Sequence, residues 1–378
     1  MASSASEKVS FPPGTGEAVT LSVIIPCYNE RSTLSRIVER VLAVQNEQLK
    51  MELIIVDDCS TDGSFALAES LRQRHPEIKL IQHPRNRGKG AALHTGIDIC
   101  EGDIVCINDA DEEYSPSDLP RLIKPILEGK ADVVYGSRFR KDEPRRVLYF
   151  WHSLMNRTLT LVSNMFTDMD LTDMETCYKV FRQDVIKSLD LKEERFGFEP
   201  EVTVKTANKG YRVYEMGISY SPRTYEEGKK ISWKDGIHAL YCIFHYGAAF
   251  APIPIQLLIY LFIGGVAGLC NITFFLLLNQ PPFSVPAAAG TAYILAAAVN
   301  YLLCITLLFR HKARFDTIGE ILAYVLIVAL SGLADVAMTT ALMRAGIGGL
   351  WAKASASALV LIINFLGRKY FVFKEHRM

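Results

Sequence analysis

The chain has no surplus of charge of either sign: Lys+Arg and Asp+Glu stand at 41 each, for a formal net charge of zero. No global field draws it towards a nucleic acid, so whatever electrostatics matter here are local. Its eight cysteines, at positions 27, 59, 100, 106, 177, 242, 270 and 304, form no close-spaced pairs and do not alternate with histidines. That scatter argues against a disulfide framework and against a zinc site, and leaves ordinary reduced cysteines. The opening stretch MASSASEKVSFPPGTGEAVT lacks an apolar core, so residues 1–19 are expected to form a disordered lead and no signal peptide. Apolar character is not scarce. At 49% hydrophobic the composition is high for a purely soluble enzyme, and from Ile255 onward apolar runs dominate. A length of 378 residues leaves room for two or three compact units.

Before Ile255 short apolar runs alternate with stretches at helical spacing. LSVIIP (21–26) and MELIIVD (51–57) are short β-branched runs, and between them Leu34, Ile37, Val38, Val41 and Leu42 recur at helical spacing. Phe65, Leu67, Ala68 and Leu71 mark a second helix before IKLIQ (78–82), and a Gly-punctuated helix leads to DIVCIND (103–109). This alternation predicts an α/β unit with a mostly parallel sheet covered on both faces. Ligands of such sheets collect at the carboxyl ends of the strands, where this chain has PCYNE, DDCSTDG and DADEE.

The residue types at those ends suggest phosphate and metal chemistry. Asp109 and Asp111, two positions apart on a strand-end loop, can offer hard oxygen ligands to Mg²⁺ or Mn²⁺; an Asp-rich turn capping the next helix is the competing reading. In NRGKGAALHTG, Gly88 and Gly90 allow close backbone approach and Lys89 brings charge to a phosphate. Asn29, ahead of the first helical run, reads as an N-cap.

VIIPCYNE, IIVDDCSTDGS, NRGKGAALHTG and INDADEEYSP, in this order, resemble the nucleotide-sugar domain of family 2 glycosyltransferases, a GT-A-like (Rossmann-like) fold. VVYGSRF (133–139) and DLTDMETCYKVFR (170–182) extend the resemblance to the polyprenyl-phosphate branch, typified by dolichol-phosphate mannose synthase, over roughly residues 20 to 235. The resemblance implies metal-dependent transfer of one hexose from a nucleotide diphosphate sugar, of the GDP-mannose or UDP-glucose type, to a membrane polyprenyl (dolichyl or undecaprenyl) phosphate. It implies that Pro26, Tyr28 and Glu30 surround the nucleotide, and that one of Asp57 and Asp58 meets the base. It assigns Asp109 and Asp111 to the metal. Where the family usually carries Leu-Gln after the acid pair this chain has Glu112 and Glu113, so Glu113 stands in for the Gln ligand. Arg138 in GSRF matches the acceptor-phosphate position, and Arg223, with Lys229 and Lys230, lies in a basic loop that closes over the diphosphate. Asp173 falls near the sugar, with Glu175 and Tyr178 replacing commoner small residues; Glu199 and Glu201 in FGFEPE either line the sugar pocket or begin a buried element. A polyprenyl monophosphate, with a second pKa of roughly 6, arrives largely as a dianion and needs cationic positioning more than a base.

Four apolar segments, 255–278, 286–309, 320–343 and 349–373, reach the ~20 residues that span a hydrocarbon core. They repeat at an offset of 64: NYLLCITLLFR (300–310) aligns with NFLGRKYFVFK (364–374). Two successive hairpins share one orientation, so this is a parallel repeat, and it resembles the GtrA-like membrane family. Arg310, His311, Lys312 and Arg314 make one loop basic, and Arg368, Lys369, Lys374 and Arg377 the tail, whereas NQPPFSVP and RAGIGG are nearly uncharged. The positive-inside rule then predicts that the catalytic domain and both termini are cytoplasmic. Segments 147–166 and 231–250 are aromatic, amphipathic and too polar to span, and are expected to lie at the lipid bilayer interface. There they would guide an isoprenoid tail while His152 or Arg157 assists its phosphate. The expected organisation is a lead at 1–19, a transferase domain at 20–230, a juxtamembrane helix at 231–252 and a four-helix membrane domain at 253–378. A lipid-linked sugar translocator or scaffold that only binds donor is one alternative. A processive polysaccharide synthase is another, but the glutamine-arginine-rich motif it normally needs is missing.

Overall fold

The computed structural model of the protein describes residues 18–140, 147, 149–223, 233–278, 280, 285–308 and 317–372. Expectations for residues 1–17, Lys229, Lys230, Arg310, His311, Lys312, Arg314, Lys374 and Arg377 lie outside the described residues. The chain divides into two compact units, Met1–Gly247 and Ala248–Met378.

The first unit alternates strands and helices: β1 (Val19–Cys27), α1 (Leu34–Leu42), β2 (Leu49–Asp57), α2 (Ser64–Arg74), β3 (Ile78–Gln82), α3 (Lys89–Ile99) and β4 (Ile104–Ile107). It continues through α4 (Leu119–Leu127), β5 (Val133–Ser137), α5 (Phe150–Thr167), β6 (Lys179–Arg182), α6 (Gln183–Ser188), α7 (Phe198–Asn208), β7 (Val213–Gly217) and α8 (Trp233–Gly247). The seven strands form one sheet in the order β3-β2-β1-β4-β6-β5-β7. Pairing is parallel except that β6 runs antiparallel to both β4 and β5. Helices cover both faces, which is why Leu21, Val23, Ile24 and Ile25 form an unbroken buried run. On α1, Leu34, Ile37, Val38 and Val41 are fully buried, each worth about 2 kcal/mol of apolar burial.

The chain leaves β1 towards β2 and β3 on one side and returns to β4 on the other, so a switch point opens between the carboxyl ends of β1 and β4. Asn29 sits at that opening and is not the helix cap: α1 begins at Leu34 after Thr33. Instead Asn29 adopts φ +53° and its side-chain oxygen accepts the Thr61 N–H at 2.8 Å, tying the β1 loop to the β2 loop.

Helices α5 and α8 pack together through Phe166 and Phe244, whose rings are 5.7 Å apart. Phe150, Trp151, Leu161, Trp233, Ile237 and Tyr241 are each more than half exposed. This aromatic surface is the amphipathic character expected of segments 147–166 and 231–250.

The second unit contains α9 (Ile253–Leu278), α10 (Val285–Leu303), α11 (Thr317–Arg344) and α12 (Gly349–Gly367). The starts of α11 and α12 follow those of α9 and α10 by 64 positions, as the sequence repeat requires. Both α10 and α12 run on into a single π-helical turn, Cys304–Leu308 and Arg368–Val372, again 64 apart. Among the described residues, Ile253–Leu278 and Gly290–Leu308 are long and apolar enough to cross a membrane. Arg368 departs from expectation: counted with the basic tail, it is only 4% exposed. Its π turn brings it between the two halves, where Nη1 donates to Asn300 Oδ1 at 2.7 Å and Nε to Asn364 Oδ1 at 3.1 Å. The guanidinium also lies 4.3 Å from the Tyr324 ring centre and 5.4 Å from that of Tyr260.

Candidate active site

A cavity of about 450 Å³ occupies the switch point of the sheet. Pro26, Tyr28, Glu30, Asp58, Lys89, Asp109, Asp111, Glu113, Arg138 and Arg223 all line it. Of the residues singled out in the sequence, Asp173, Tyr178 and Glu201 are not on its wall, and neither is Asp57. It is fully buried at the end of β2, where Oδ2 accepts the Ser60 N–H at 3.1 Å. Asp58 is the member that faces the cavity, and it also builds the wall. Its carboxylate accepts the N–H groups of Arg87 at 2.9 Å and Gly88 at 2.7 Å, and His83 Nδ1 lies 2.8 Å away.

Gly88 and Gly90 do allow close backbone approach, but to another part of the chain. A side-chain carbon at 90 would come within 2.0 Å of the Glu193 carbonyl oxygen, and one at 88 within 2.5 Å of that of Glu194. The start of α3 is thus fitted against residues 193–195, and Ala91 N–H donates to Glu194 O at 2.9 Å. Arg195 and Phe196, which follow, line the cavity. No motif marks Arg195; Phe196 opens the aromatic stretch FGFEPE, in which the two glutamates are the residues singled out.

Lys89, the first residue of α3, places its ammonium 2.9 Å from Asp109 Oδ1 and 2.9 Å from Glu199 Oε1. Burial opposes its charge, but those two carboxylates hold it well above the ordinary lysine range. Glu199 therefore joins the cavity. Glu201 does not: it is buried and accepts the Lys192 and Glu193 N–H groups, each at 2.8 Å.

The acidic loop after β4 sorts its carboxylates by direction. Glu112 turns outward to a bidentate pair with Arg36. Glu113 Oε2 accepts the Tyr220 hydroxyl at 2.8 Å and Oε1 the Arg223 N–H at 2.9 Å, fastening the segment after β7 over the loop. Asp111 lies between Asp109 and Glu113. Burial, followed by the charges of those two carboxylates, pushes it up to about 7 despite opposing attraction from Arg223. Three carboxylates converge here, and the guanidinium of Arg223 is shared with a fourth: its Nη2 pairs with Glu30 Oε2 at 3.0 Å. Surplus negative charge on hard oxygen donors fits a small divalent cation.

Arg138 grips Asp173 in a two-pronged pair of 2.7 and 2.8 Å, with its own N–H donating to the same carboxylate at 3.0 Å. Beyond it, Glu175, half-buried on the wall of the cavity, and Lys179, fully buried, lie near Glu199. Burial exceeds their mutual attraction, so both shift towards neutral forms, Glu175 up to about 7 and Lys179 downward. Neither Glu175 Oε1 nor Glu199 Oε2 has a hydrogen-bond partner among the described residues.

A second cavity, about 350 Å³, lies along α5 and α8 and is mostly apolar, with Tyr149, Trp151, Met155, Leu159 and Trp233 on its walls. It shares Arg138, Glu175, Phe196 and Tyr220 with the first. His152 lines it. Arg157 does not, and stacks 5.3 Å from the Phe139 ring centre.

Residues 22–190 match the family model described as glycosyl transferase family 2, and residues 259–373 match that described as GtrA/DPMS, transmembrane domain. A polyprenol monophosphomannose synthase of Mycolicibacterium smegmatis is 30% identical over 208 residues, 53% of this chain and 77% of that protein. A dolichol-phosphate mannosyltransferase of Pyrococcus furiosus is 29% identical over 212 residues, 55% of this chain and 58% of that protein. A dodecaprenyl-phosphate galacturonate synthase of Rhizobium johnstonii is 27% identical over 215 residues, 56% of this chain and 62% of that protein. The match thus spans less than two thirds of the length of two of these three relatives.

Proposed function

Since this chain belongs to glycosyltransferase family 2 and carries a GtrA/DPMS transmembrane domain, we propose that it transfers a single hexose from a nucleotide diphosphate sugar to a membrane polyprenyl phosphate. The observation that carries the reading is the wall common to the two cavities. A polar, acid-rich chamber adjoins an apolar one, and Arg138 belongs to both. A phosphate with a long hydrocarbon tail suits that junction, since its head needs a cation and its tail needs an apolar groove.

Each residue then has a task. Tyr28 offers a ring face to the base, and Asp58 borders that space while fixing the loop of Gly88. Asp109, Asp111 and Glu113 would hold Mg²⁺ or Mn²⁺. When bound, the ion offsets the charge that builds on the leaving diphosphate. Arg223, now paired with Glu30, is within the same chamber and supplies further positive charge there. Arg138, held rigid by Asp173, orients the acceptor phosphate so that one of its oxygens bonds to the sugar carbon as the carbon–oxygen bond to the diphosphate breaks. A nucleoside diphosphate leaves. No proton need be removed from a dianionic acceptor. The exposed aromatics of α5 and α8 would rest in the lipid interface, the four helices of the second unit would span the bilayer, and basic flanks favour a cytoplasmic catalytic unit.

The test is transfer of labelled sugar in membranes, using a panel of GDP- and UDP-sugars with and without added polyprenyl phosphate and with a chelator. Lipid-linked product should require the acceptor and a divalent ion, and Arg138→Ala should depress acceptor use more than donor binding. Donor binding without any lipid-linked product would favour a translocator or scaffold. A polymeric product would favour a processive synthase.

A further inference from the structure

One cluster of side chains outside both cavities has no part in the transfer. Glu193 precedes α7, and His238 and Cys242 sit one turn apart on α8. One oxygen of Glu193, one ring nitrogen of His238 and the Cys242 sulfur all lie within 4.8 Å of one another. His238 Nε2 is 2.8 Å from Glu193 Oε2 and 3.5 Å from Cys242 Sγ. The other Glu193 oxygen accepts the Tyr246 hydroxyl at 2.9 Å, which fixes the carboxylate from behind. Cys242 is fully buried, whereas the His238 side chain is 41% exposed and gives the cluster a way in from solvent. The scatter of cysteines along the sequence argued against such a site; the fold assembles it from residues that are 45 positions apart.

Imidazole, thiolate and carboxylate aimed at one point are the donor set of a borderline divalent cation. Metal bonds of about 2.0 Å to nitrogen and 2.3 Å to sulfur, set at a tetrahedral angle, hold the two ligand atoms about 3.5 Å apart. That matches the separation of His238 Nε2 and Cys242 Sγ. The nitrogen–oxygen distance would open from 2.8 Å to about 3.4 Å, a change of the size that a side-chain rotation provides. We propose that Glu193, His238 and Cys242 form a zinc-type site, with a solvent molecule completing the tetrahedron. Its placement gives it a purpose beyond local stability. Glu193 begins the stretch whose Glu194 carbonyl accepts the Ala91 N–H and whose Arg195 and Phe196 line the large cavity. A cation here staples α8, with its exposed aromatic face, to the wall of the donor chamber.

The experiment uses the full chain in detergent, stripped with a chelator and titrated with cobalt(II) alone. A thiolate-to-cobalt charge-transfer absorption should grow in and saturate at one equivalent, and zinc should displace it. Cys242→Ser should abolish the absorption. His238→Gln, at a partly exposed position, should weaken zinc affinity by more than about a hundredfold, the upper range for loss of a residue that only hydrogen-bonds a ligand. Cys27 and Cys177 line the large cavity and offer the rival source of such a signal. Absorption that survives Cys242→Ser but disappears in Cys177→Ser overturns the assignment, as does the lack of any absorption at saturating cobalt.

Discussion

Gly90→Ala adds one carbon at a point where the fold has no room. That carbon would sit 2.0 Å from the Glu193 carbonyl oxygen, 2.8 Å from the Glu194 carbonyl carbon and 3.0 Å from the Arg195 oxygen. Ordinary contact begins near 3.4 Å, so the facing strand of backbone must retreat by about 1.4 Å. The obstacles are main-chain atoms, which cannot rotate aside. Overpacking of this kind costs about 1–3 kcal/mol, and stretching the Ala91 N–H to Glu194 hydrogen bond adds about 1 kcal/mol. The better helix propensity of alanine returns about 1 kcal/mol. A net loss of about 2 kcal/mol should lower the melting temperature of the catalytic unit by roughly 4–8 °C. The functional loss should be larger in proportion. Arg195 and Phe196 travel with the displaced backbone, and misplacing a binding wall by about 1 Å costs on the order of a hundredfold in kcat/KM. Gly129→Ala is the matched control. It has φ +68° with no atom within 4 Å of the added carbon, so it carries backbone strain of about 1 kcal/mol and leaves the site alone. Nucleotide binding by calorimetry, alongside thermal melts of both variants, provides the comparison. If Gly90→Ala binds donor and melts like the parent, the claim that this glycine fits α3 to the cavity wall is wrong.

Asp111→Asn should slow single-turnover transfer of labelled sugar about a hundredfold, equivalent to ~3 kcal/mol, without lowering the melting temperature at pH 8. A half-buried carboxyl raised to about 7 is ionised at that pH and, crowded by Asp109 and Glu113, unfavourable in the absence of metal, so its neutral isostere relieves the fold. Glu175 is raised by burial from 4.5 to about 7, so its protonated form favours the folded state: stability from this group is present below pH 4.5 and is lost as pH rises through 7. Chemical denaturation across that window should show the fall in the parent and a flatter profile in Glu175→Gln; identical slopes would contradict it. Arg368→Met should strand Asn300 and Asn364, and lower the denaturation midpoint of the detergent-solubilised protein by the equivalent of about 3 kcal/mol. Arg368→Lys should not restore it, because one ammonium cannot reproduce the planar fork between two asparagines and two tyrosines. A normal midpoint in either variant would remove the structural role given to Arg368.

Much of the catalytic unit was legible because its information is local. Short β-branched runs mark β1 and β2 and IKLIQ marks β3, and the polar strand ends fall together simply because parallel strands end on one side. What escaped detection depends on contacts distant in sequence. Strand β6 has only four residues, too short to carry a period, and its antiparallel direction is set by β4 and β5 on either side. Asp57 and Asp58 are neighbours with identical side chains, but β2 ends between them, so that the first is buried at the last strand position and the second faces the cavity from the loop. Gly88 and Gly90 advertised close approach but not what approaches, and Glu193 to Arg195 lie a hundred positions on. Arg368 looked like one more tail charge because nothing in its neighbourhood announces a π turn.

That buried arginine also bears on how the membrane unit came to be one chain. Tyr260 and Tyr324, and likewise Asn300 and Asn364, occupy equivalent positions in the two halves; the equivalent of Arg368 is Cys304. The two are neighbours, with Arg368 Nη1 3.9 Å from Cys304 Sγ. A pair of identical hairpins would have to put the same residue at both positions. Two guanidiniums at such a distance repel by about 4 kcal/mol at an effective dielectric of 20, and two cysteines supply no cation at all. Joining the halves covalently removes that dilemma, since each copy can then vary without the other. One positive charge, bracketed by a pair of asparagines and a pair of tyrosines, is an arrangement open to a tandem duplication and closed to a symmetric dimer.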